Sequence, residues 1–232
     1  MIQTGLGLPT SGTSLQHWMQ IFCMQNGVKN LVDEANDEIL FNTPEAVEAL
    51  EYLDSIRKLG IIAWDSNKTD TDPFRMGTAA ITKCSISEFK TMNTGDLAGK
   101  IRLISPFENK QPATFSGMHF LFMSSQSKNK EAAWKLMEFM ANPESMQIWC
   151  DVTGAAPLRQ SLSEAYIAGN PSEAPYIVDA ISAGVGSAKV SYSNSVFNFV
   201  AEAVEKVFYE RATVQEALDA AAEKLEEEIA FQ

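Results

Sequence analysis

Apolar residues recur at helical spacing along much of the chain, most clearly between Val47 and Leu59. Their recurrence every three or four residues places them on one face of a helix. Thr43 can cap this helix and Pro44 suits its first position, while Gly60 is a typical C-terminal stop. The pattern therefore predicts a helix with one buried face.

The same spacing predicts helices near both ends of the chain. One carries Trp18, with Ser14 as a plausible N-cap and Gly27 as its end. The sequence Thr-Val-Gln-Glu from Thr213 is a capping box that opens the last helix. Further helices are predicted at 87–92, 161–168 and 175–183, and over a long segment after 194.

The most regular stretch runs from Phe115 to Arg159. A small-residue turn at Ser116 and Gly117 is followed by an apolar run over 118–123, which predicts a strand. A polar loop then leads to an amphipathic helix, and Pro143 starts a second helix.

Short apolar runs at 78–82 and 101–104 predict two more strands. Strands are therefore few and short, whereas helices are many and well capped. Their alternation in the middle of the chain favours an α/β fold.

Composition narrows the classes of partner. Apolar residues make up 45% of the chain and charged residues 21%, which indicates a packed core. The formal net charge of −12 argues against nucleic acid and against an anionic membrane surface as partners.

The sequence contains no run of about 18 apolar residues, so it predicts no membrane-spanning helix. Because Met1 leads straight into a Gly/Pro segment, we expect any signal segment to lie outside this sequence.

The residue types that carry catalysis or bind metals form no recognisable motif. The three cysteines are scattered, which is typical of buried thiols and not of a disulfide framework or zinc site. His17 and His119 have no second ligand at metal-binding spacing. The glycine-rich segment 5–12 lacks the lysine of a phosphate-binding loop. The sequence thus predicts no cofactor, no metal and no catalytic residue, and it supports no enzymatic activity.

Five patches in one order resemble the bacterial extracellular solute-binding proteins of ABC importers, the family with maltose- and glycerol-phosphate-binding members. Each patch is weak alone, but together they extend over nearly the whole chain. The patches are FNTPEAVEALEYL from Phe41, FRMGTAAI from Phe74, the segment 117–144 with SKNKEAAW and MANPE, TGAAPLR from Thr153, and TVQEALDAA from Thr213.

The resemblance implies a type II periplasmic-binding-protein-like clam-shell, in which two α/β lobes close on a solute. It implies that this chain is mainly the C-terminal lobe, helix-rich with short strands, and lacks most of the N-terminal lobe. Residues 1–112 and 166–232 would build the C-terminal lobe. Residues 113–165 would belong to the N-terminal lobe, with hinge crossings near 113–117 and 160–170.

The resemblance also implies that ligand contacts lie in four loops, which are in order 13–18, 84–87, 116–118 and 192–198. Trp18 could equally be a core residue, Gly117 could serve turn geometry alone, and Phe197 also fits the apolar face of its helix. No arginine occurs in the fourth loop, which disfavours a phosphate-bearing ligand. The candidate ligand-binding residues are Ser14, Gln16, Trp18, Ser85, Ser87, Ser116, Gly117, Met118, Tyr192, Asn194 and Phe197.

The function that the resemblance implies is capture of a sugar or polyol and its delivery to an ABC permease, without chemistry on the ligand. The protein would act outside the cytoplasm, in the periplasm or lipid-anchored at the outer face of the cell membrane. Two alternatives are an α/β enzyme acting on carbohydrates and a sensor or interaction module derived from a binding protein. A further hypothesis is that the chain associates with itself, because the helices of 113–165 would lack their usual partner.

Overall fold

A computed structural model of the 232-residue chain describes residues 3–8, 13–63, 73–117 and 120–231. The chain divides into two compact units. Unit 1 comprises Met1–Lys83, Pro106–Ser116 and Ser182–Gln232, and unit 2 comprises Cys84–Ser105 and Gly117–Ile181.

Helices dominate both units, and the strands are short, as the sequence predicts. The helices are α1 (Thr13–Gln25), α2 (Pro44–Lys58), α3 (Ile86–Met92), α4 (Lys130–Ala141), α5 (Pro143–Thr153), α6 (Ser163–Gly169), α7 (Ala174–Ala183), α8 (Ser193–Phe208) and α9 (Val214–Ala230). The strands are β1 (Thr4–Gly7), β2 (Val32–Asp33), β3 (Glu38–Ile39), β4 (Ile62–Ala63), β5 (Ala79–Ile81), β6 (Thr114–Phe115) and β7 (Gly184–Val185).

Unit 1 contains a three-stranded parallel sheet in the order β4-β1-β5. Leu6 in β1 lies opposite Ile62 on one side and Ile81 on the other. Strands β6 and β7 form a separate parallel pair, in which Thr114 lies opposite Gly184. Both pairings join segments that are far apart in the sequence.

The core of unit 1 lies between α1, α2, α8 and α9, with β1 and β4 at its edge. Each helix buries one apolar face, as the helical spacing predicts. Fully buried examples from the four helices are Leu15, Leu50, Val200 and Leu218. The predicted helix with a buried face, α2, is therefore confirmed.

Of the three N-caps predicted from the sequence, one is confirmed and two are not. The capping box of α9 is present, since the Thr213 hydroxyl accepts from the Glu216 N–H and the Glu216 carboxylate accepts from the Thr213 N–H. Thr43 occupies the N-cap position of α2, but its hydroxyl donates to the Leu40 carbonyl at 3.0 Å instead of capping. Ser14 lies inside α1, so its prediction as an N-cap is wrong.

Unit 2 contains the helical hairpin α4–α5 and the shorter helices α3 and α6. Asn142 ends α4 and caps α5, because its side-chain oxygen accepts from the Ser145 N–H at 2.8 Å. Gly154 ends α5 at φ 73°, a conformation that favours glycine. The Tyr166 hydroxyl then donates to the Gly154 carbonyl at 3.3 Å, so the end of α5 is tied to α6.

Two predicted strands are wrong in the described part of the chain. Residues 101–104 and 120–123 form no strand there, and residues 118–119 lie outside the described residues. A strand is stable only beside a partner that satisfies its backbone hydrogen bonds, and apolar spacing does not supply that partner. The strand predicted at 78–82 is confirmed as β5.

The predicted division into lobes stays a prediction. Unit 2 takes in 84–105 as well as 117–181, whereas the segment assigned from the sequence to the N-terminal lobe is 113–165. The chain passes from unit 1 to unit 2 directly after Ser116.

Candidate functional site

Three aromatic side chains meet on unit 1 and form what we term the His17 cluster: His17, Phe115 and Phe197. The rings of His17 and Phe115 are stacked, with centroids 4.0 Å apart and planes inclined by 27°. Phe197 meets the His17 ring edge-on at 6.3 Å. All three side chains are half-buried, so each ring keeps part of its surface exposed.

Packing within unit 1 brings the three rings together. Helix α1 packs against both α8 and β6, which carry Phe197 and Phe115 respectively. Along α1, Leu15, Trp18 and Met19 are buried whereas His17 is half-buried, so His17 lies at the margin of the core.

The surroundings of the His17 imidazole favour its neutral form. Partial burial lowers the pKa of His17, and the nearby positive charge of Lys83 lowers it further. A neutral imidazole offers an apolar ring face together with one nitrogen that donates and one that accepts a hydrogen bond. The cluster can therefore stack against an apolar surface and bind a hydroxyl group at the same time.

A chain of amide side chains lies next to the cluster. Gln16 donates to the Gln20 side-chain oxygen at 2.8 Å, and Gln20 donates to the Gly186 carbonyl at 3.2 Å. Asn30 donates to the same carbonyl at 3.1 Å. These bonds anchor the loop after β7 to α1.

A shallow depression joins these amides to the Phe197 ring, since Gln20, Asn30 and Phe197 all line it. The side-chain oxygen of the fully buried Gln16 has no hydrogen-bond partner among the described residues. Of the three rings of the cluster, Phe197 is the one that lines this depression.

Trp18 on α1 and the three predicted site residues at the start of α8 differ in their surroundings. Trp18 is 4% exposed and belongs to the core, which is the alternative that the sequence left open for it. Tyr192 is also buried, and its hydroxyl donates to Asp37. Asn194 is exposed, and Phe197 belongs to the His17 cluster.

The two serines of the second predicted loop lie in unit 2, where each makes a structural hydrogen bond. Ser85 caps α3 in a capping box with Glu88. The Ser87 hydroxyl donates to the Thr153 carbonyl. Both side chains therefore stabilise the ends of neighbouring helices.

The third predicted loop follows β6. The Ser116 N–H donates to the Val185 carbonyl at 3.0 Å, which extends the β6–β7 pairing by one residue. Ser116 and Gly117 are exposed. Met118 lies outside the described residues, and the Ser14 side chain is likewise not described.

The sequence did not point to His17 or Phe115 as binding residues, although each adjoins a predicted one. His17 lies between Gln16 and Trp18, and Phe115 precedes Ser116.

Within the described residues, no group of three or more histidine, cysteine, aspartate or glutamate side chains could hold a metal ion. None of the described helices is long and apolar enough to span a bilayer.

Comparison with known proteins decides the family. The family model for bacterial extracellular solute-binding proteins matches residues 3–175. This chain belongs to that family. The resemblance read from its five sequence patches is thereby confirmed.

Among curated relatives of this solute-binding protein is the sn-glycerol-3-phosphate-binding periplasmic protein UgpB of Escherichia coli (strain K12). It is 29% identical over 164 residues, and the match covers 63% of this chain and 36% of UgpB. The chain thus spans little more than a third of the curated relatives that it matches.

Solved structures show the fold. The GacH receptor of Streptomyces glaucescens GLA.O, studied unliganded and with acarbose, matches with a TM-score of 0.84 at 17% identity. The match covers 97% of this chain and 59% of GacH. An ABC transporter solute-binding protein from Thermotoga lettingae TMO, bound with α-D-tagatose, matches with a TM-score of 0.79 at 19% identity, covering 96% of this chain and 58% of that one. The periplasmic-binding-protein-like fold class is confirmed.

Proposed function

We propose that this chain is the solute-binding subunit of an ABC importer, or part of one, and that unit 1 binds a sugar or polyol at the His17 cluster. The observation that carries the proposal is the half-exposed stack of His17 on Phe115, with Phe197 at its edge. Membership of the solute-binding family supports the same proposed function.

The chemistry of the cluster favours an uncharged, hydroxyl-rich ligand. Exposed aromatic faces pack against the apolar C–H face of a pyranose ring, while a few fixed polar groups bind its hydroxyls. Neutral His17 supplies one such polar group, and Ser116 and Asn194, both exposed, stay predicted contacts. The net charge of −12 and the absence of arginine from 192–198 disfavour a phosphate-bearing solute.

The remaining predicted contacts differ in their support. Gln16 is fully buried and supports the site through its hydrogen bond to Gln20. Gly117, Met118 and Ser14 stay predicted contacts. Ser85 and Ser87 make structural hydrogen bonds in unit 2, and Trp18 and Tyr192 lie in the core of unit 1, so we leave these four out of the proposed surface.

The ligand would be carried and not transformed. We propose that the protein is not an enzyme, that it works outside the cytoplasm in the periplasm or lipid-anchored at the outer face of the membrane, and that it delivers its solute to a membrane permease. Closure on the solute would stabilise the form that the permease binds. We also propose that this chain associates with itself, for which large exposed apolar side chains on unit 2 are the support.

Thermal unfolding with a panel of maltose, tagatose, glycerol and sn-glycerol-3-phosphate tests the ligand class. A ligand at about 100 times its Kd stabilises the folded chain by about 2.7 kcal/mol. We expect a sugar to raise the Tm of the wild type and to lose this effect in Phe197→Ala and His17→Ala.

Phe199→Ala is the matched control, because Phe199 lies on the same helix, is half-buried and packs against the core outside the cluster. It should lower the Tm without ligand yet keep the ligand-induced shift. A shift with sn-glycerol-3-phosphate alone, or an unchanged sugar response in Phe197→Ala, contradicts the proposal.

A further inference from the structure

The segment 186–192, which we term the 186–192 loop, connects β7 to α8 and forms one wall of the depression beside Phe197. Ser187 and Ala188 of this loop line the depression. Residues 186–190 lie in neither a helix nor a strand. Contacts from other parts of unit 1 must therefore hold the loop in one conformation, because ordering a free backbone costs entropy.

Side chains from α1 and from the segment after it hold the start of the loop. Gln20 and Asn30 both donate to the Gly186 carbonyl, at 3.2 Å and 3.1 Å. A carbonyl oxygen carries two lone pairs, so it can accept both hydrogen bonds. Through Gln20, the first residue of the loop is thus fixed to the helix that carries His17.

The hairpin formed by β2 and β3 holds the middle and the end of the loop. The Glu34 carboxylate accepts from the backbone N–H of Lys189 at 2.9 Å. The Asp37 carboxylate accepts from the Tyr192 hydroxyl. Tyr192 is 5% exposed, so this second bond ties a buried residue directly before α8 to the hairpin. Both acceptors are carboxylates, and hydrogen bonds to carboxylates are stronger than those between neutral groups.

Asp37 also shapes the turn between β2 and β3. Its φ is 55°, in the left-handed region that side chains rarely adopt and that aspartate and asparagine tolerate best. The Asp33 carboxylate accepts from the Ala35 N–H at 2.8 Å, which closes the turn locally. A residue in such a conformation persists where its surroundings determine it, and the bond from Tyr192 is one of those surroundings.

We propose that Asp37 and Glu34 are positioning residues of the solute site. Their carboxylates hold the 186–192 loop in the conformation that the solute meets, and they act through the loop without touching the solute. The inference rests on the proposed function, since it requires a solute at the His17 cluster. A wall formed in advance strengthens binding, because ordering a loop during binding would lower the affinity.

Titration calorimetry with maltose, tagatose and glycerol, well below the Tm of each variant, measures this effect. Asp37→Gly removes the acceptor and keeps the left-handed backbone accessible, while Tyr192→Phe removes the donor and keeps the ring. Each should raise the Kd of the solute that binds the wild type by about threefold or more, since affinity falls with the fraction of chains in the binding-competent conformation. Glu34→Ala should act in the same direction.

Two further variants separate the hydrogen bond from general damage to the hairpin. The double variant Asp37→Gly with Tyr192→Phe should bind about as weakly as either single variant, because both changes remove the same bond. Asp37→Asn keeps an acceptor oxygen and tolerates the positive φ, so it should restore binding to near the wild-type Kd.

Glu210→Gly is the matched control. Glu210 also has a positive φ, 57°, and its carboxylate accepts from Arg57 at 3.2 Å beyond the opposite end of α8. The variant therefore removes a carboxylate acceptor from a left-handed residue of unit 1 that does not contact the loop. It should keep the wild-type Kd.

An unchanged Kd in Asp37→Gly overturns the positioning role, and a lowered Tm beside it shows that the carboxylate serves the fold alone. An equal weakening in Glu210→Gly, or no restoration in Asp37→Asn, overturns it as well. These outcomes leave the proposed function standing, because the wild type still binds. A wild type that binds none of the three solutes contradicts the proposed function, and the positioning role with it.

Discussion

Gln25, the last residue of α1, holds the segment 106–116 against unit 1. It is 6% exposed, and its amide nitrogen donates to the Phe107 carbonyl at 2.8 Å and to the Ala113 carbonyl at 3.0 Å. Its own backbone carbonyl accepts from the Lys110 N–H at 3.0 Å. The change Gln25→Met keeps side-chain length and helix propensity while removing both amide bonds.

The expected cost follows from the burial of the two acceptors. Ala113 is 2% exposed, and a buried carbonyl left without a donor costs about 1–3 kcal/mol. The part-buried bond to Phe107 adds about 0.5–1.5 kcal/mol. The sum, about 2–4 kcal/mol, corresponds to roughly a 30- to 1000-fold increase in the population in which 106–116 is detached.

Hydrogen exchange read by mass spectrometry measures this population segment by segment. Peptides covering 106–116 should exchange faster in Gln25→Met, while peptides from α9 change less. Gln215→Met is the matched control, because it removes an amide bond to Asp219 on an exposed face. Equal exchange of 106–116 in the wild type and in Gln25→Met would refute the reasoning.

Two further predictions concern stability. Thr213→Ala removes the capping box of α9 and should lower unfolding stability by about 1 kcal/mol, measured by urea denaturation; an unchanged midpoint contradicts the role of the box. Burial, with the hydrogen bond to Asp37, raises the pKa of Tyr192 to about 12, so the folded chain keeps a proton that the unfolded chain loses near pH 10. Stability should therefore fall as pH rises from about 10 to 12, and Tyr192→Phe should reduce this fall; an identical alkaline profile in the variant excludes Tyr192 as its cause.

Local signals in the sequence predicted the helices well. The start of α2 at Pro44 and the capping box at Thr213 depend on residues within a few positions of each other, so a single sequence contains the whole signal. The family could be recognised for a related reason, since each of its five patches is a continuous stretch of sequence.

The features that the sequence did not reveal depend on distant partners. The runs 101–104 and 120–123 have the composition of strands but no pairing in the described residues. The stack of His17 on Phe115 joins α1 to a strand about a hundred residues later, and no local pattern records that contact. The sequence left open whether Trp18 is a core residue or a ligand contact. Only the packing of the neighbouring helices shows that it belongs to the core.

The discontinuity of unit 1 constrains when it can fold during synthesis. Its core combines Leu15 and Leu50 with Val200 and Leu218, so α1 and α2 are made long before the helices that cover them. The nascent chain therefore leaves its apolar faces uncovered until Ser182–Gln232 has emerged. Folding of this unit therefore waits until α9 has emerged, and a ribosome-bound chain that ends before α9 should remain open to proteases.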